Sequence, residues 1–226
     1  MTTPDPLAAV GALAEPTRRA LYDAVAQADA PIGREQAAEQ IGVPAHSAKF
    51  HLDRLVDEGL LEVEYRRPEG RSGPGAGRPT KLYRRAGADV TVSLPPRHYD
   101  VAAQVLADAV EQATTAGMPL PDAVREAAVR AGRALAAEPP APRARRPLRR
   151  LAELLRRRGY EPRVDDRDEE LMLANCPFDR LARHHTELVC GLNLALVEGA
   201  VEGLGGGVEP RLDPAPGYCC VRATAT

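Results

Sequence analysis

The four cysteines are the residues of this sequence whose chemistry is most specific. All lie in the last 51 residues: Cys176, Cys190, Cys219 and Cys220. Thiolates are good ligands for zinc and iron. Each cysteine is predicted near the boundary of a helix or strand, where backbone N–H groups favour the thiolate. Because no leader peptide opens the chain, we expect thiols or metal ligands here and not structural disulfides.

The spacing of the cysteines limits how many of them one ion can use. If Cys219 and Cys220 lie on a final strand, their side chains point to opposite faces, so one ion takes only one of them. A fourth ligand would then be His184, His185, the other terminal cysteine or an exchangeable group. Three thiolates with a histidine suit zinc, and three with an exchangeable site suit a [4Fe-4S] cluster. No pair has CxxC spacing, and the alternative is that the cysteines pack as small apolar residues.

The segment that carries the cysteines is predicted to be a small α+β domain, residues 139–226. Leu151, Leu154 and Leu155 recur at helical spacing, and two short strands follow around an acidic turn at 165–170. A helix at 192–204 and a final strand at the terminal cysteines complete the pattern. The order helix, strand, strand, helix, strand is typical of an α+β sensor domain.

A second pattern, at residues 32–85, presents basic side chains. A short helix ends before Gly42, where a left-handed residue stops a helix. Three residues later a second helix has one apolar stripe, formed by Ala48, Leu52, Leu55 and Val56. This is helix-turn-helix geometry, in which the second helix enters the DNA major groove. We expect its outward side chains to contact base edges: Ser47, Lys49, His51 and Arg54.

Two predicted strands at 61–66 and 80–85 enclose a stretch rich in Gly, Pro and Arg. Seven basic residues lie between positions 66 and 85 against the single acid Glu69: Arg66, Arg67, Arg71, Arg78, Lys81, Arg84 and Arg85. A basic hairpin beside a recognition helix is a wing, which binds phosphates or a minor groove. We assign phosphate contacts to Arg71, Arg78 and Lys81. The alternative is a solvated hairpin.

The rest of the chain supports these two regions. Helices before residue 32 complete a winged helix-turn-helix domain at 1–94, which ends in a loop and a predicted strand at 90–94. Two Ala-rich helices, at 100–115 and 121–137, make a helical dimerisation segment at 95–138. A homodimer would match a palindromic operator. The predicted fold class is mainly α with α+β: a winged helix-turn-helix domain, a helical dimerisation segment and a small C-terminal α+β sensor domain.

Overall charge does not favour nucleic acid by itself, because 30 basic and 32 acidic residues leave a net charge of −2. DNA affinity must therefore come from local patches. No long uncharged apolar run could span a bilayer, so we predict a cytoplasmic protein without a membrane partner. We predict that it is not an enzyme, because no His or Asp spacing indicates an activated nucleophile.

Three motifs together resemble the DNA-binding domain of the ArsR-like winged-helix regulators. They are Ala12-Leu-Ala-Glu-Pro-Thr-Arg-Arg, Phe50-His-Leu-Asp-Arg-Leu-Val-Asp-Glu-Gly-Leu-Leu and Gly77-Arg-Pro-Thr-Lys-Leu-Tyr. The resemblance covers about residues 5–87. A winged helix followed by helices and a C-terminal cysteine domain is similar to the SufR-type branch, the iron–sulfur-dependent repressors of cluster-assembly operons. The chain departs from that branch at Leu204, where some members carry another cysteine, and in its terminal cysteine doublet.

The resemblance implies a homodimeric repressor that binds double-stranded operator DNA. Its DNA affinity would depend on an iron–sulfur cluster, of the [4Fe-4S] type, bound by Cys176, Cys190 and Cys219 or Cys220, with zinc as the alternative metal. A second hypothesis keeps the DNA-binding regulator but makes the C-terminal domain a pocket for a small organic effector. In that case the cysteines would be structural or zinc-binding.

Overall fold

The computed structural model describes residues 5–66 and 79–226 of the chain. The chain divides into two compact units, Met1–Val92 and Ser93–Thr226. Within the described residues there are nine helices and two small antiparallel sheets. The fold is therefore a mixture of helix and sheet. None of the described helices combines the length and apolar character that a membrane span requires.

The first unit is a helical core with a small sheet at its edge. Its elements in chain order are α1 (Pro6–Ala12), α2 (Pro16–Ala26), β1 (Ile32–Gly33), α3 (Arg34–Ile41), α4 (Ala45–Asp57), β2 (Leu61–Arg66) and β3 (Thr80–Arg85). The sheet order is β1-β3-β2 with antiparallel pairing. The helix pair and the two longer strands lie where the sequence predicts them.

The core of the first unit explains why α4 has one fixed outer face. Ala48, Leu52 and Leu55 are each 0% exposed and pack with Leu21 of α2 and Tyr83 of β3. Full burial of a leucine side chain contributes about 1.5–3 kcal/mol to the free energy of unfolding. Because these residues occupy one stripe of α4, rotating the helix would expose them, and the polar side chains on the other stripe are held outward.

The predicted strand at 90–94, where the first unit ends and the second begins, is wrong. Residues 90–94 form no strand because the alternating Val and Leu residues have no neighbouring strand to pair with, and Leu94 is 80% exposed.

The second unit contains further helices and the strands of a second sheet in the following chain order: α5 (Tyr99–Ala116), α6 (Leu120–Ala137), α7 (Pro147–Arg156), β4 (Pro162–Val164), β5 (Glu170–Leu173), α8 (Asp179–His184), α9 (Thr186–Gly203), β6 (Val208–Leu212) and β7 (Val221–Ala225).

Helix α9 is the centre of the second unit because it belongs to two apolar clusters. One cluster joins α9 to α5 and α6, and the other joins it to α7 and the sheet. The backbones of α6 and α9 are in direct contact at two glycines. A Cβ atom on Gly132 would lie 2.0 Å from the Leu196 carbonyl oxygen, and one on Gly199 would lie 2.1 Å from the Val129 carbonyl oxygen. Only glycine permits such an approach.

The four-stranded sheet of the second unit has the order β4-β5-β7-β6, and every pair is antiparallel. The last strand of the chain therefore lies inside the sheet and not at its edge. The sequence pattern predicts α7, β4, β5, α9 and a final strand in this region. It misses α8 and also β6, whose Pro210 and charged residues conceal a strand signal.

Candidate DNA-binding and cysteine sites

The turn between α3 and α4 sets the helix-turn-helix geometry. Gly42 ends α3 with φ of 73°, a left-handed conformation that glycine adopts without strain, and its N–H bonds back to the last turn of α3. α4 then begins at Ala45, and Pro44 precedes it without a side-chain cap. The first N–H groups of α4 remain available as hydrogen-bond donors at the end that would approach DNA.

The outer face of α4 carries the side chains that the sequence assigns to DNA. Lys49 and Arg54 are exposed and Ser47 is half-buried. Phe50 lies beside them with 68% of its surface exposed, and it was not among the predicted contacts. An exposed phenylalanine on this face offers apolar contact to a thymine methyl group in a major groove.

Asp53 connects α4 to strand β3, and sequence reasoning missed it. Its carboxylate accepts hydrogen bonds from Lys49 Nζ at 2.9 Å, Lys81 Nζ at 2.5 Å and the Tyr83 hydroxyl at 2.9 Å. Burial alone would raise the pKa of Asp53, but these three donors outweigh it and lower the pKa to about 2. Two of the predicted DNA-binding lysines are thus held by one carboxylate.

His51 lies on the side of α4 that faces the start of α2. Its Nδ1 is 3.4 Å from a carboxylate oxygen of Glu15, and its side chain is only 16% exposed. Glu15 also caps α2, accepting from the backbone N–H groups of Thr17 and Arg18. This position favours a supporting role for His51 over a direct base contact.

The wing itself is only partly described. Lys81 lies on β3, where its ammonium is 5.0 Å from the centroid of the Tyr83 ring. Arg71 and Arg78, the other two predicted phosphate contacts, fall outside the described residues. Their assignment stays a prediction.

The four cysteines, which come from three separate segments of the second unit, lie close together. Cys176 follows β5, Cys190 is in the second turn of α9, and Cys219 and Cys220 immediately precede β7. Cys176 packs against both apolar clusters, whereas Cys219 and Cys220 belong to the cluster of α7 and the sheet. The cysteines therefore lie close to the line where the two clusters meet, with Cys219 the most buried of them at 3% exposure.

Neighbouring thiols in this group shift one another's pKa. The pKa of Cys176 is affected by Cys219, that of Cys219 by Cys176 and Cys220, and that of Cys190 by Cys220. Across the described ranges, no three His, Cys, Asp or Glu side chains already converge as a metal-ion site. The thiols thus form a chain of neighbours, and binding one ion would require their side chains to turn toward a common centre.

The environment of the thiols favours their protonated form. Thiol–thiol hydrogen bonding with Cys219, followed by burial, raises the pKa of Cys176. For Cys219, hydrogen bonding to Cys176 lowers the pKa, but hydrogen bonding to Cys220 and burial together raise it to about 11. Burial also raises the pKa of Cys190 despite its hydrogen bonding with Cys220. For these three thiols, the prediction that element boundaries would favour the thiolate is wrong: thiol–thiol hydrogen bonding and burial raise the pKa of Cys176 and Cys219 more than backbone N–H groups lower it, and burial raises that of Cys190.

Two further expectations about the cysteines need correction. Cys219 and Cys220 lie in the bend before β7 and not on a strand, so the argument that only one of them reaches a shared site no longer applies. His184 ends α8 and His185 precedes α9, and both are exposed. These positions favour a fourth thiol over either histidine as the remaining ligand.

A buried polar chain adjoins Cys219. The Tyr160 hydroxyl donates to Asn193 Oδ1 at 2.5 Å, and Asn193 Nδ2 donates to Cys219 Sγ at 3.1 Å. The backbone N–H of Cys219 also donates to the carbonyl oxygen of Leu173 at 2.8 Å, which fixes the cysteine to the end of β5. Asn193 is the one amide in an apolar stretch of α9, a sequence signal that could have identified it.

The segment that begins the second unit is tied to Cys176. Arg97 Nη1 donates to Asn175 Oδ1 at 2.5 Å and to the carbonyl oxygen of Cys176 at 2.7 Å. Asn175 Nδ2 in turn donates to the carbonyl oxygens of Pro96 at 3.1 Å and Gly159 at 2.5 Å. No spacing in the sequence indicates these contacts, since the partners are far apart along the chain.

Comparison with known proteins identifies the first unit only. Residues 13–64 match a family model described as a helix-turn-helix domain. No curated protein and no solved structure matches the chain. The matched residues contain α2, α3 and α4 and the first part of β2, so the chain carries a helix-turn-helix domain of the kind found in DNA-binding transcriptional regulators.

Proposed function

We propose that this protein is a homodimeric winged-helix transcription regulator, a repressor, whose DNA affinity is controlled by an iron–sulfur cluster or a metal ion bound to the four cysteines. The observation that carries the proposal is that Cys176, Cys219 and Cys220 pack in or against one apolar cluster of the unit that follows a helix-turn-helix domain. Cys190 of α9 would supply the fourth thiol.

The DNA-binding half of the proposal rests on the outer face of α4. Ser47, Lys49 and Arg54 would approach base edges in a major groove, and Lys81 of β3 would reach phosphate. Lys49 and Lys81 share Asp53, so α4 and the wing strand would meet DNA as one surface. Arg71 and Arg78, which lie outside the described residues, are proposed as further phosphate contacts.

The donor set fits a thiolate-bound group. Four sulfur ligands suit zinc or an iron–sulfur cluster, whereas they do not suit calcium or magnesium. The raised pKa values of Cys176, Cys190 and Cys219 mean that their protons would be released on binding. An iron–sulfur cluster supplies sensitivity to oxidants and to cluster supply, and the likeness to the SufR-type repressors favours that group over zinc.

Anaerobic purification with an absorption spectrum and analysis for iron, sulfide and zinc tests the sensor half. We expect brown protein with iron and sulfide, and loss of the colour in Cys176→Ser. Arg183→Ala, an exposed change in the same unit, is the control and should keep the colour. Colourless protein with stoichiometric zinc would assign the cysteines to zinc. Colourless, metal-free protein would contradict the proposal and favour a small organic effector.

Light scattering and DNA binding test the other half separately. We expect the mass of a dimer, and binding to a palindromic operator that weakens when the cluster is removed. The mass of a monomer would contradict the proposed dimer. DNA affinity that does not change when the cluster is removed would contradict control by the cysteine site, but not the helix-turn-helix domain.

A further inference from the structure

The chain Tyr160–Asn193–Cys219 is closed to solvent along its length. Tyr160 is 2% exposed, Asn193 0% and Cys219 3%. Because burial removes water as a partner, each polar atom of the chain depends on the next one for its hydrogen bond. A buried amide without partners would destabilise the fold, so the contacts of Asn193 are needed for its burial.

An asparagine on this buried face of α9 is unfavourable unless its amide group makes hydrogen bonds. The buried residues around it on the helix are apolar, among them Val189, Leu192, Leu196 and Val197. An apolar residue would fill the position without needing partners. Asn193 instead directs its amide nitrogen at the sulfur of a candidate metal ligand, 3.1 Å away.

We propose that Asn193 is a positioning residue for the Cys219 sulfur in the metal-bound protein, and that Tyr160 fixes the orientation of the Asn193 amide. This inference rests on the proposed function of the cysteines. A metal-bound thiolate has no proton and only accepts hydrogen bonds. The amide must then present its nitrogen to the sulfur and its oxygen to the Tyr160 hydroxyl, which is the arrangement observed.

The consequence for the bound group follows from the hydrogen bond to sulfur. An N–H donor withdraws electron density from the ligand, which stabilises the reduced form of a cluster and holds the sulfur in a fixed direction. Loss of the donor should therefore weaken binding, lower the reduction potential of a cluster and move the sulfur-to-metal charge-transfer band to lower energy.

Cobalt(II) titration of the metal-free, full-length protein under anaerobic conditions tests the proposal. We expect Asn193→Leu to weaken binding about 10-fold and to move the charge-transfer band to lower energy. Tyr160→Phe should cause a smaller change in the same direction. Val197→Ala removes buried volume one turn further along α9 but removes no hydrogen-bond donor to a sulfur, so the charge-transfer band of this variant should not move.

The outcomes separate the two proposals. Wild-type protein that shows no charge-transfer band with cobalt and no iron–sulfide colour after anaerobic purification contradicts the proposed function itself. If Asn193→Leu binds cobalt with the wild-type affinity and its band has the wild-type energy, the positioning role is wrong and the cysteine site still stands. A band that moves as far in Val197→Ala as in Asn193→Leu also overturns it, because the effect would then come from loosened packing.

A second measurement needs no metal. In the NMR spectrum of the metal-free protein, the side-chain amide signals of Asn193 are assigned by their loss in Asn193→Leu. We expect Cys219→Ala to shift these signals and to speed their exchange with water. Cys190→Ala, which removes a thiol that is not bonded to Asn193, is the control. Equal shifts in the two cysteine variants would show that the amide does not bond to Cys219, and the proposal would be wrong.

Discussion

The Arg97 guanidinium donates a hydrogen bond of 2.7 Å to the backbone carbonyl oxygen of Cys176. The first residues of the second unit are thus bonded directly to the loop that carries a candidate ligand. Arg97 lies 3.8 Å from Asp179, which also pairs with the more exposed Arg183. Two arginines therefore share one carboxylate, but only Arg97 reaches the cysteine loop.

This arrangement predicts that replacing Arg97 and replacing Arg183 reduce the stability of the second unit by different amounts. Arg97→Ala leaves the amide oxygen of Asn175 and the Cys176 carbonyl without their charged donor, so we expect the second unit to lose about 2 kcal/mol of stability. Arg183→Ala removes a surface ion pair and should cost less than about 1 kcal/mol. Urea unfolding monitored by amide signals of β5 and α9 measures both. Equal losses would contradict the buried role of Arg97.

The carboxylate of Asp53 predicts a pH dependence for the first unit. Its pKa, about 2, is below the ordinary aspartate value of 3.8, so the ionised form stabilises the fold above about pH 4, and this stabilisation is lost as the pH falls toward about 2. The shift corresponds to at most about 2 kcal/mol, and solvent screening reduces it to about 1 kcal/mol.

The measurement compares wild type with Asp53→Asn by urea unfolding between pH 2 and 7. We expect a stability difference that is constant above about pH 4 and shrinks below it. Asp57→Asn, an exposed change in the same helix, is the control and should alter stability little. A difference that does not change with pH would exclude Asp53 as the ionised partner of Lys49 and Lys81.

Lys49 predicts an electrostatic effect on DNA binding. Lys49→Ala removes one charge from the outer face of α4, so the slope of log affinity against log salt should fall by about 1. Arg130→Ala removes an exposed charge from the second unit and should leave the slope unchanged. Arg78→Ala is expected to act like Lys49→Ala. Identical slopes for Lys49→Ala and wild type would remove Lys49 from the DNA contacts.

The contact between α6 and α9 predicts opposite effects for two glycines. Gly132→Ala forces the helices apart, because the new Cβ atom would lie 2.0 Å from a carbonyl oxygen, and should destabilise the second unit by about 1–3 kcal/mol. Gly191→Ala in α9 meets no atom within 4 Å and should stabilise the helix by about 0.5–1 kcal/mol. Thermal unfolding of both variants tests the packing, and destabilisation by both would argue against it.

Local order in the first unit could be predicted because it is encoded by neighbouring residues. The stripe of Ala48, Leu52 and Leu55 follows the helical period, and Gly42 provides the left-handed residue that ends α3. The same reasoning located β2 and β3 from their alternation. These signals lie within a few residues of the structure that they specify.

The contacts that build the sites could not be predicted in this way. Asp53 and Lys81 are 28 residues apart, Asn193 and Cys219 are 26 apart, and Arg97 and Cys176 are 79 apart. Such pairs depend on how whole elements pack. The sequence pattern predicts a strand at the terminal cysteines because adjacent apolar residues extend it, whereas both cysteines lie in the bend before β7.

The interior position of β7 determines when the cysteine site is completed during synthesis. The ribosome makes β7 after every other described element, yet the strand lies between β5 and β6. Until residues 219–225 emerge, β5 and β6 each lack the strand that lies between them, and the nascent chain holds only Cys176 and Cys190 of the four thiols. The same short segment thus supplies two of the four thiols and the strand that joins β5 to β6, so a metal or cluster that needs all four thiols could not be loaded before this segment is made.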